Sequence, residues 1–234
     1  MNLKQFKVLS FDVVGTLIDF ERGMLNYLRG SVPGASVTDE AFLEAYRQSR
    51  TSDAAGPYPD DLVRAWGDVA KATGLPDTQE LAEGFRKSVS EWPAFADSVE
   101  SLMRLRRRYK LVGMTNTRRW AVKYFERTLG QPFDDMVTAD EALCEKPDPQ
   151  FFAYTRGRLS TRGFTLNDTL HVAQSQFHDI GVARRLGYKV CWIERRQGQA
   201  GFGATKAVSQ LTKPDYHFRT LESLSDAVDA AFAG

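Results

Sequence analysis

Four short apolar runs punctuate the chain, each brief and rich in β-branched and aromatic residues. They are KVLSFDVV (Lys7 to Val14), YKLVGM (Tyr109 to Met114), TLHVA (Thr169 to Ala173) and YKVCWI (Tyr188 to Ile193). Near-continuous hydrophobicity of this kind predicts strands buried on both faces of a parallel sheet. Between and after them lie segments with helix-period apolar spacing: DSVESLMRLRRRY from Asp97, RWAVKYFERTLG from Arg119, PQFFAYTRGRLS from Pro149, DIGVARRLG from Asp179 and TLESLSDAVDAAFA from Thr220. Strand and helix thus alternate through the second part of the chain. With the first strand, that alternation predicts a doubly wound, Rossmann-like, mainly parallel α/β sheet.

Residues 20–91 break the rhythm and carry only helix-period segments: GMLNYLRG, DEAFLEAYRQSR, DDLVRAWGDVAKATG and DTQELAEGFRKSVSEW. Thr38-Asp39 and Asp60-Asp61 stand ahead of two of them as N-cap signals. The expected organisation is an α/β core of residues 1–19 and 92–234, with a helical cap of residues 20–91 inserted after the first strand. Open α/β sheets bind ligands beyond the carboxyl ends of their strands, so an insert that leaves just past Asp12 would cover such a site. Phe20 and Trp92 are its expected hinges, and Trp66, Trp92 and Trp120 are expected to fill cores.

Composition narrows the function classes. The 234 residues are 42% hydrophobic and 26% charged, ordinary for a globular protein, and a formal charge of +1 provides no field to attract nucleic acid or an anionic membrane. The one basic tract, RLRRRYK (Arg104 to Lys110), has Leu105 on a core-facing side and reads as a solvated helix end. No apolar run approaches a membrane span and the N-terminus lacks a cleavage signal, which points to a cytoplasmic protein. Cys144 and Cys191, with no CxxC spacing, fit free thiols in a reducing compartment. His171, His178 and His217 have no metal-ligand spacing, and only His178, beside Asp179, suggests a pocket residue. The glycines of GQAGFGAT lack dinucleotide-binding spacing and predict a mobile loop near the site.

The chemistry lies in polar residues at strand ends. DVVGT begins at Asp12, TN at Thr115, EKPDP at Glu145, and AQSQFHD ends at Asp179. Their order and setting resemble the haloacid dehalogenase (HAD) superfamily of hydrolases over essentially the whole chain. The resemblance implies Asp12 as a nucleophile that divides one displacement into two easier steps. Gly15 would permit a tight turn, and the Thr16 hydroxyl would cap that turn or hold the carboxylate. Thr115 and Asn116 would donate to substrate, Lys146 would bring a cation to the carboxylates, and Asp179 would orient Lys146 and assist the hydrolytic water. Pro149 suits the first turn of a helix.

Val14 stands where HAD phosphatases carry an acid that protonates the leaving group. Valine has no proton to give, so the expected leaving group needs none: a halide, or a strained cyclic amine already protonated. Gln174 likewise replaces an acid that would help hold Mg²⁺, leaving Asp12 and Asp179, so no metal and no cofactor are expected. These features resemble the 2-haloacid dehalogenase branch, with Lys146 in the cation's role. Arg47 in the cap would then clamp the substrate carboxylate or receive the leaving group, with Arg50 as rival, and Gln174, Gln176 and His178 would line the substrate pocket beside Val14. The tracts SEWPAFADSVESL, WIERRQGQAGFGAT and S-x-x-HD are similar to the azetidine-2-carboxylate hydrolase subgroup.

The leading expectation is therefore hydrolytic displacement at carbon in a small 2-substituted carboxylic acid. A Mg²⁺-dependent small-molecule phosphatase, with His178 or water supplying the missing proton, is the first alternative, and a catalytically silent HAD-fold binding protein the second. Self-association, where it occurs, is expected as a C₂ homodimer.

Overall fold

A computed structural model describes residues 2–199 and 201–233. Six strands form one parallel sheet: β1 (Val8–Phe11), β2 (Lys110–Thr115), β3 (Asp135–Thr138), β4 (Thr169–Ala173), β5 (Lys189–Ile193) and β6 (Tyr216–Phe218). Their spatial order is β3-β2-β1-β4-β5-β6. The chain builds outward from β1 through β2 to β3, then returns to lay β4 on the other side of β1. Both neighbours are in register with it, Phe11 facing Gly113 on β2 and Val172 on β4. The order thus reverses at β1, and the crevice beyond its carboxyl end is the topological switch point of the sheet.

All four β1 residues are buried. Leu9 and Phe11 pack toward one face, with Leu102, Leu105, Leu221 and Leu224, while Val8 turns to the other, with Val112 and Leu159. Side-chain alternation on a doubly covered strand explains why the sequence reads as continuously apolar. One covering layer is α5 (Ser98–Leu105) against α10 (Leu221–Ala233); Arg104 of α5 pairs with Asp226 and Asp229 of α10. The basic tract is thus partly consumed by internal pairing. The other layer holds Phe151 and Phe152 of α8 (Pro149–Ser160) and Val182 and Ala183 of α9 (Gly181–Arg185). Asp148 caps α8 through the Gln150 N–H at 2.8 Å and Pro149 occupies its first turn.

Four helices follow β1: α1 (Phe20–Ser31), α2 (Asp39–Thr51), α3 (Leu62–Thr73) and α4 (Gln79–Lys87). Thr38 caps α2 as expected, accepting from the Ala41 N–H. Asp61 makes no such cap; its carboxylate instead pairs with Arg50 and Arg64, and Asp60 accepts from Trp120 Nε1 at 2.9 Å. Trp120 is therefore a half-buried bridge from α6 (Arg119–Thr128) to the segment before α3, not a core filler. Trp66 and Phe85, by contrast, are fully buried with ring centres 5.4 Å apart. Trp92, at the return to the sheet, stacks on Phe125 of α6. A short α7 (Ala139–Ala142) follows β3.

Strands β3 and β6 were not among the four runs predicted. They are four and three residues long, and they lie at the two edges of the sheet. No helix among the described residues is long and apolar enough to cross a membrane, and Cys144 and Cys191 are unbridged.

Candidate active site

Asp12 leaves β1 into a turn that closes on itself, Gly15 N–H donating to the Ile18 carbonyl at 2.9 Å. Gly15 has φ +91°, a left-handed conformation open to glycine, and an added Cβ would press on Phe20 at 3.3 Å. The turn brings Thr16 back so that its hydroxyl donates to Asp12 Oδ2 at 2.6 Å and accepts from the Gln174 N–H at 2.9 Å. A carboxylate 6% exposed is thereby fixed at the switch point.

Lys146 lies between Asp12 and Asp179. Its ammonium donates to Asp12 Oδ1 at 2.8 Å, to Asp179 Oδ1 at 2.7 Å and to the Met114 carbonyl at 2.8 Å. All three side chains are almost completely buried. Three donor hydrogens meet three acceptors, so the cation needs no water. Asp179 enters from the π-type turn Gln176–Ile180 that follows β4, whose N-cap is Ser175 accepting from the His178 N–H.

The two carboxylates are tuned in opposite directions. Burial pushes Asp12 up; the Lys146 ammonium pulls it back, and the Asp179 charge adds to the rise, leaving the group above the ordinary aspartate range. Burial also opposes charge on Asp179, but Lys146 and the hydrogen bond from His171 outweigh it and hold Asp179 at about 2. The Lys146 ammonium, disfavoured by burial but held by both carboxylates, ends above the ordinary lysine range. Burial drives His178 down to about 4, so its ring is neutral at neutral pH.

A cavity of about 130 Å³ opens over this cluster. Asp12, Val14, Arg47, Thr115, Asn116, Lys146, Gln174, His178 and Asp179, all singled out in the sequence, line it together. Gln176 does not: its Oε1 accepts from the Thr212 N–H at 2.9 Å, on the far side of the turn. Consecutive residues of that tight turn point in different directions, which the linear motif could not show.

Thr115 and Asn116 sit at the site but are largely committed elsewhere. Thr115 Oγ1 donates to Thr117 Oγ1 and accepts the Thr117 N–H. Asn116 exchanges two bonds with the Lys146 backbone, at 2.8 and 2.7 Å, leaving one amide hydrogen for a ligand. Arg47 is paired with Glu44, and Arg50 with Asp61 and the Gly56 carbonyl.

Three cavity residues outside the expected set add to the chemistry. Tyr58, buried in the α2–α3 loop, holds a hydroxyl without a hydrogen-bond partner among the described residues. Lys206, on the glycine-rich loop, sets its ammonium 4.3 Å from the Phe177 ring centre and forms no ion pair among the described residues. Ala204 ties that loop to α1, its N–H donating to Glu21 Oε1 at 2.7 Å. Gly203 permits this approach, since a Cβ there would meet Glu21 Oε1 at 2.1 Å. Beneath the cavity, His171 Nε2 lies 3.0 Å from Asp179 Oδ1. A signal for His171 lay in the sequence, a histidine in the middle of the apolar run TLHVA, and the structure makes it the register partner of Ser10 on β1.

Similarity to known proteins agrees with this geometry. An (S)-2-haloacid dehalogenase of Pseudomonas putida is 22% identical over 96% of this chain and 97% of its own length. The structure of an L-2-haloacid dehalogenase from Xanthobacter autotrophicus with chloropropionic acid covalently bound superposes with TM-score 0.70, 19% identity, and coverage of 96% and 98%. A putative HAD hydrolase of Bacillus subtilis bound to magnesium superposes with TM-score 0.75 at 20% identity, covering 96% of this chain and 99% of that one. At such identities the superpositions speak for the fold, which is shared by relatives of both kinds. Residues 9–193 match the haloacid dehalogenase-like hydrolases, and the chain belongs to that family.

Proposed function

We propose that the protein hydrolyses a small 2-substituted carboxylic acid by displacement at carbon, with Asp12 as nucleophile and residues 20–91 as a cap over the site. The observation that carries this is the Lys146 ammonium seated between Asp12 and Asp179, beside a Val14 that offers no proton to a leaving group. An Asp12 oxygen attacks C2, the bond from C2 to the leaving group breaks, and the leaving group keeps the electron pair. Halide needs no proton to depart. A strained cyclic ammonium departs as neutral amine, which keeps ring opening, as in azetidine-2-carboxylate, within the same chemistry. Water then attacks the ester carbonyl of Asp12 and restores the carboxylate, with Asp179 accepting its proton.

Charge balance supports an anionic substrate recognised from above. Asp12, Asp179 and Lys146 sum to one negative charge, so a carboxylate ligand requires a further cation. Arg47 and Arg50 already hold carboxylates, whereas Lys206 has no acidic partner among the described residues. We assign Lys206 to the substrate carboxylate, with the free Asn116 hydrogen as a second donor.

The residues do not fit Mg²⁺. The space between the two carboxylates is taken by the Lys146 ammonium, Gln174 offers a neutral amide in place of an acid, and its backbone carbonyl accepts from Trp192 Nε1 at 2.9 Å. Mg²⁺ demands a near-octahedral oxygen shell that this arrangement does not provide. The phosphatase alternative also lacks its acid, since a His178 ring neutral at neutral pH is a poor proton donor to an alkoxide. A silent binding protein would have no use for a buried nucleophile held by Thr16 and Lys146.

The test is incubation with each enantiomer of 2-chloropropionate, without and with Mg²⁺, measuring halide and lactate, with Asp12→Asn as control. Metal-independent release of both products, abolished in Asp12→Asn, is expected. Release from phosphate esters that depends on Mg²⁺, without haloacid turnover, would overturn the proposal.

A further inference from the structure

His171 lies in the middle of the sheet, on β4 directly opposite Ser10 of β1, and is fully buried. Its Nδ1 is 3.0 Å from Ser10 Oγ and its Nε2 is 3.0 Å from Asp179 Oδ1. Phe152 and Tyr188 meet the ring edge-on and fix its plane. A carboxylate can only accept, so in the neutral imidazole Nε2 carries the hydrogen and Nδ1 presents its lone pair to the Ser10 hydroxyl. Asp179 Oδ1 therefore receives two donors, His171 and Lys146. Asp179 Oδ2 is equally buried and has no hydrogen-bond partner among the described residues. A buried charged oxygen left unpaired calls for a physical explanation, and an incoming water supplies one.

We propose that His171, locked by Ser10, is a positioning residue that pins Asp179 through Oδ1 and leaves Oδ2 as the one basic oxygen for the water that cleaves the Asp12 ester. This rests on the ester mechanism proposed above. In that step the water oxygen bonds to Asp12 Cγ and its proton passes to Asp179 Oδ2. The tetrahedral species collapses by breaking the bond from Cγ to the product oxygen, and the departing alkoxide takes the proton back. Without His171 the carboxylate is free to rotate about its Cβ–Cγ bond, and Oδ2 competes for the Lys146 ammonium. Ester formation continues while ester hydrolysis slows.

The test compares His171→Leu, Ser10→Ala and His171→Gln in the full chain, with 2-bromopropionate as probe. Bromide and lactate are followed together with the intact protein mass after quenching. In His171→Leu, a burst of about one bromide per site, accumulation of the Asp12 ester and lactate formation slower by on the order of 10²-fold are expected. Ser10→Ala should shift the same way but less, and His171→Gln, whose amide nitrogen reaches the same oxygen, should retain most of the activity. Equal slowing of bromide burst and lactate in His171→Leu with no adduct, or no rescue by His171→Gln, would overturn the proposal.

A second arm needs no turnover. Asp179 is faced by Lys146, Asp12, His171 and His178, and its charged form stabilises the fold above the carboxylate range. His171→Leu should thus be less stable than His171→Gln at about pH 6, with the gap in Tm narrowing as pH falls toward about 2, where Asp179 becomes protonated. A gap that is constant with pH would sink the pinning even if the wild type turned over no haloacid, an outcome that by itself removes only the haloacid function.

Discussion

Asn116 and Lys146 are joined in both directions, the Asn116 amide nitrogen donating to the Lys146 carbonyl at 2.8 Å while the Lys146 N–H donates to Asn116 Oδ1 at 2.7 Å. One side chain thus locks the backbone that carries the buried ammonium. Asn116→Ala would leave both backbone groups without partners, at a cost of about 1–3 kcal/mol each if they stay dry. We expect a lower Tm, and loss of activity well beyond what removing one substrate hydrogen bond would cause. Asn116→Asp should recover the acceptor for the Lys146 N–H but not the donor, and thermal melts of the two variants read the difference.

Lys146→Met removes the cation from two buried carboxylates. Breaking a buried ion pair on one side typically costs about 3–5 kcal/mol, and catalysis should be lost with it. In the variant both carboxylates titrate above their unfolded values, a situation whose stability contribution is present at low pH and lost as pH rises. The destabilisation measured by urea unfolding should therefore be largest near neutral pH and shrink toward acid. A deficit independent of pH would contradict the bridging role.

With Asp12 as the proposed nucleophile, the pH dependence of turnover follows from the charge it needs to attack. Burial places its pKa above the ordinary aspartate value of 3.8 despite the pull of Lys146, so kcat/KM should fall as pH drops through that raised value. Lys146, whose pKa lies above 10.5, keeps its charge through the neutral range, so no alkaline limb is expected near neutrality. A bell-shaped profile centred near pH 7 would require a different acid or base than those placed here.

Lys206→Met should weaken substrate binding selectively. A hydrogen bond to a charged group is worth about 1.5–3 kcal/mol, which corresponds to KM raised by roughly 10- to 100-fold with kcat little changed. Arg47→Leu should have the smaller effect, because its guanidinium is already paired with Glu44. Steady-state kinetics on both variants rank the two cations directly, and a larger loss at Arg47 would move the carboxylate site to α2.

Much of the architecture was legible because the signals are local. The runs ending at Phe11, Thr115, Ala173 and Ile193 are buried on both faces, and such strands announce themselves by continuous hydrophobicity. Asp12 follows the first of these strands directly and Asp179 lies in the turn after the third, so their place at the carboxyl end of the sheet came with the pattern. The edge strands β3 and β6 escaped notice because three or four residues take strand form only when a neighbour supplies their hydrogen bonds.

The sequence by itself determined a parallel sheet, a helical segment after its first strand, and an aspartate just beyond that strand; that the strand order reverses there is a property of the assembled sheet. Only the tertiary structure decided which polar groups share that point. Lys146 is 134 residues from Asp12 in sequence and 2.8 Å from it in space. His171, which has no metal-ligand spacing in the sequence, lies against Asp179, Lys206 comes from a loop to line the cavity, and Gln176 turns away. The physical reason is that hydrophobic periodicity is written residue by residue, whereas a buried charge is placed by partners from separate elements. Those partners satisfy it only once the fold has brought them together.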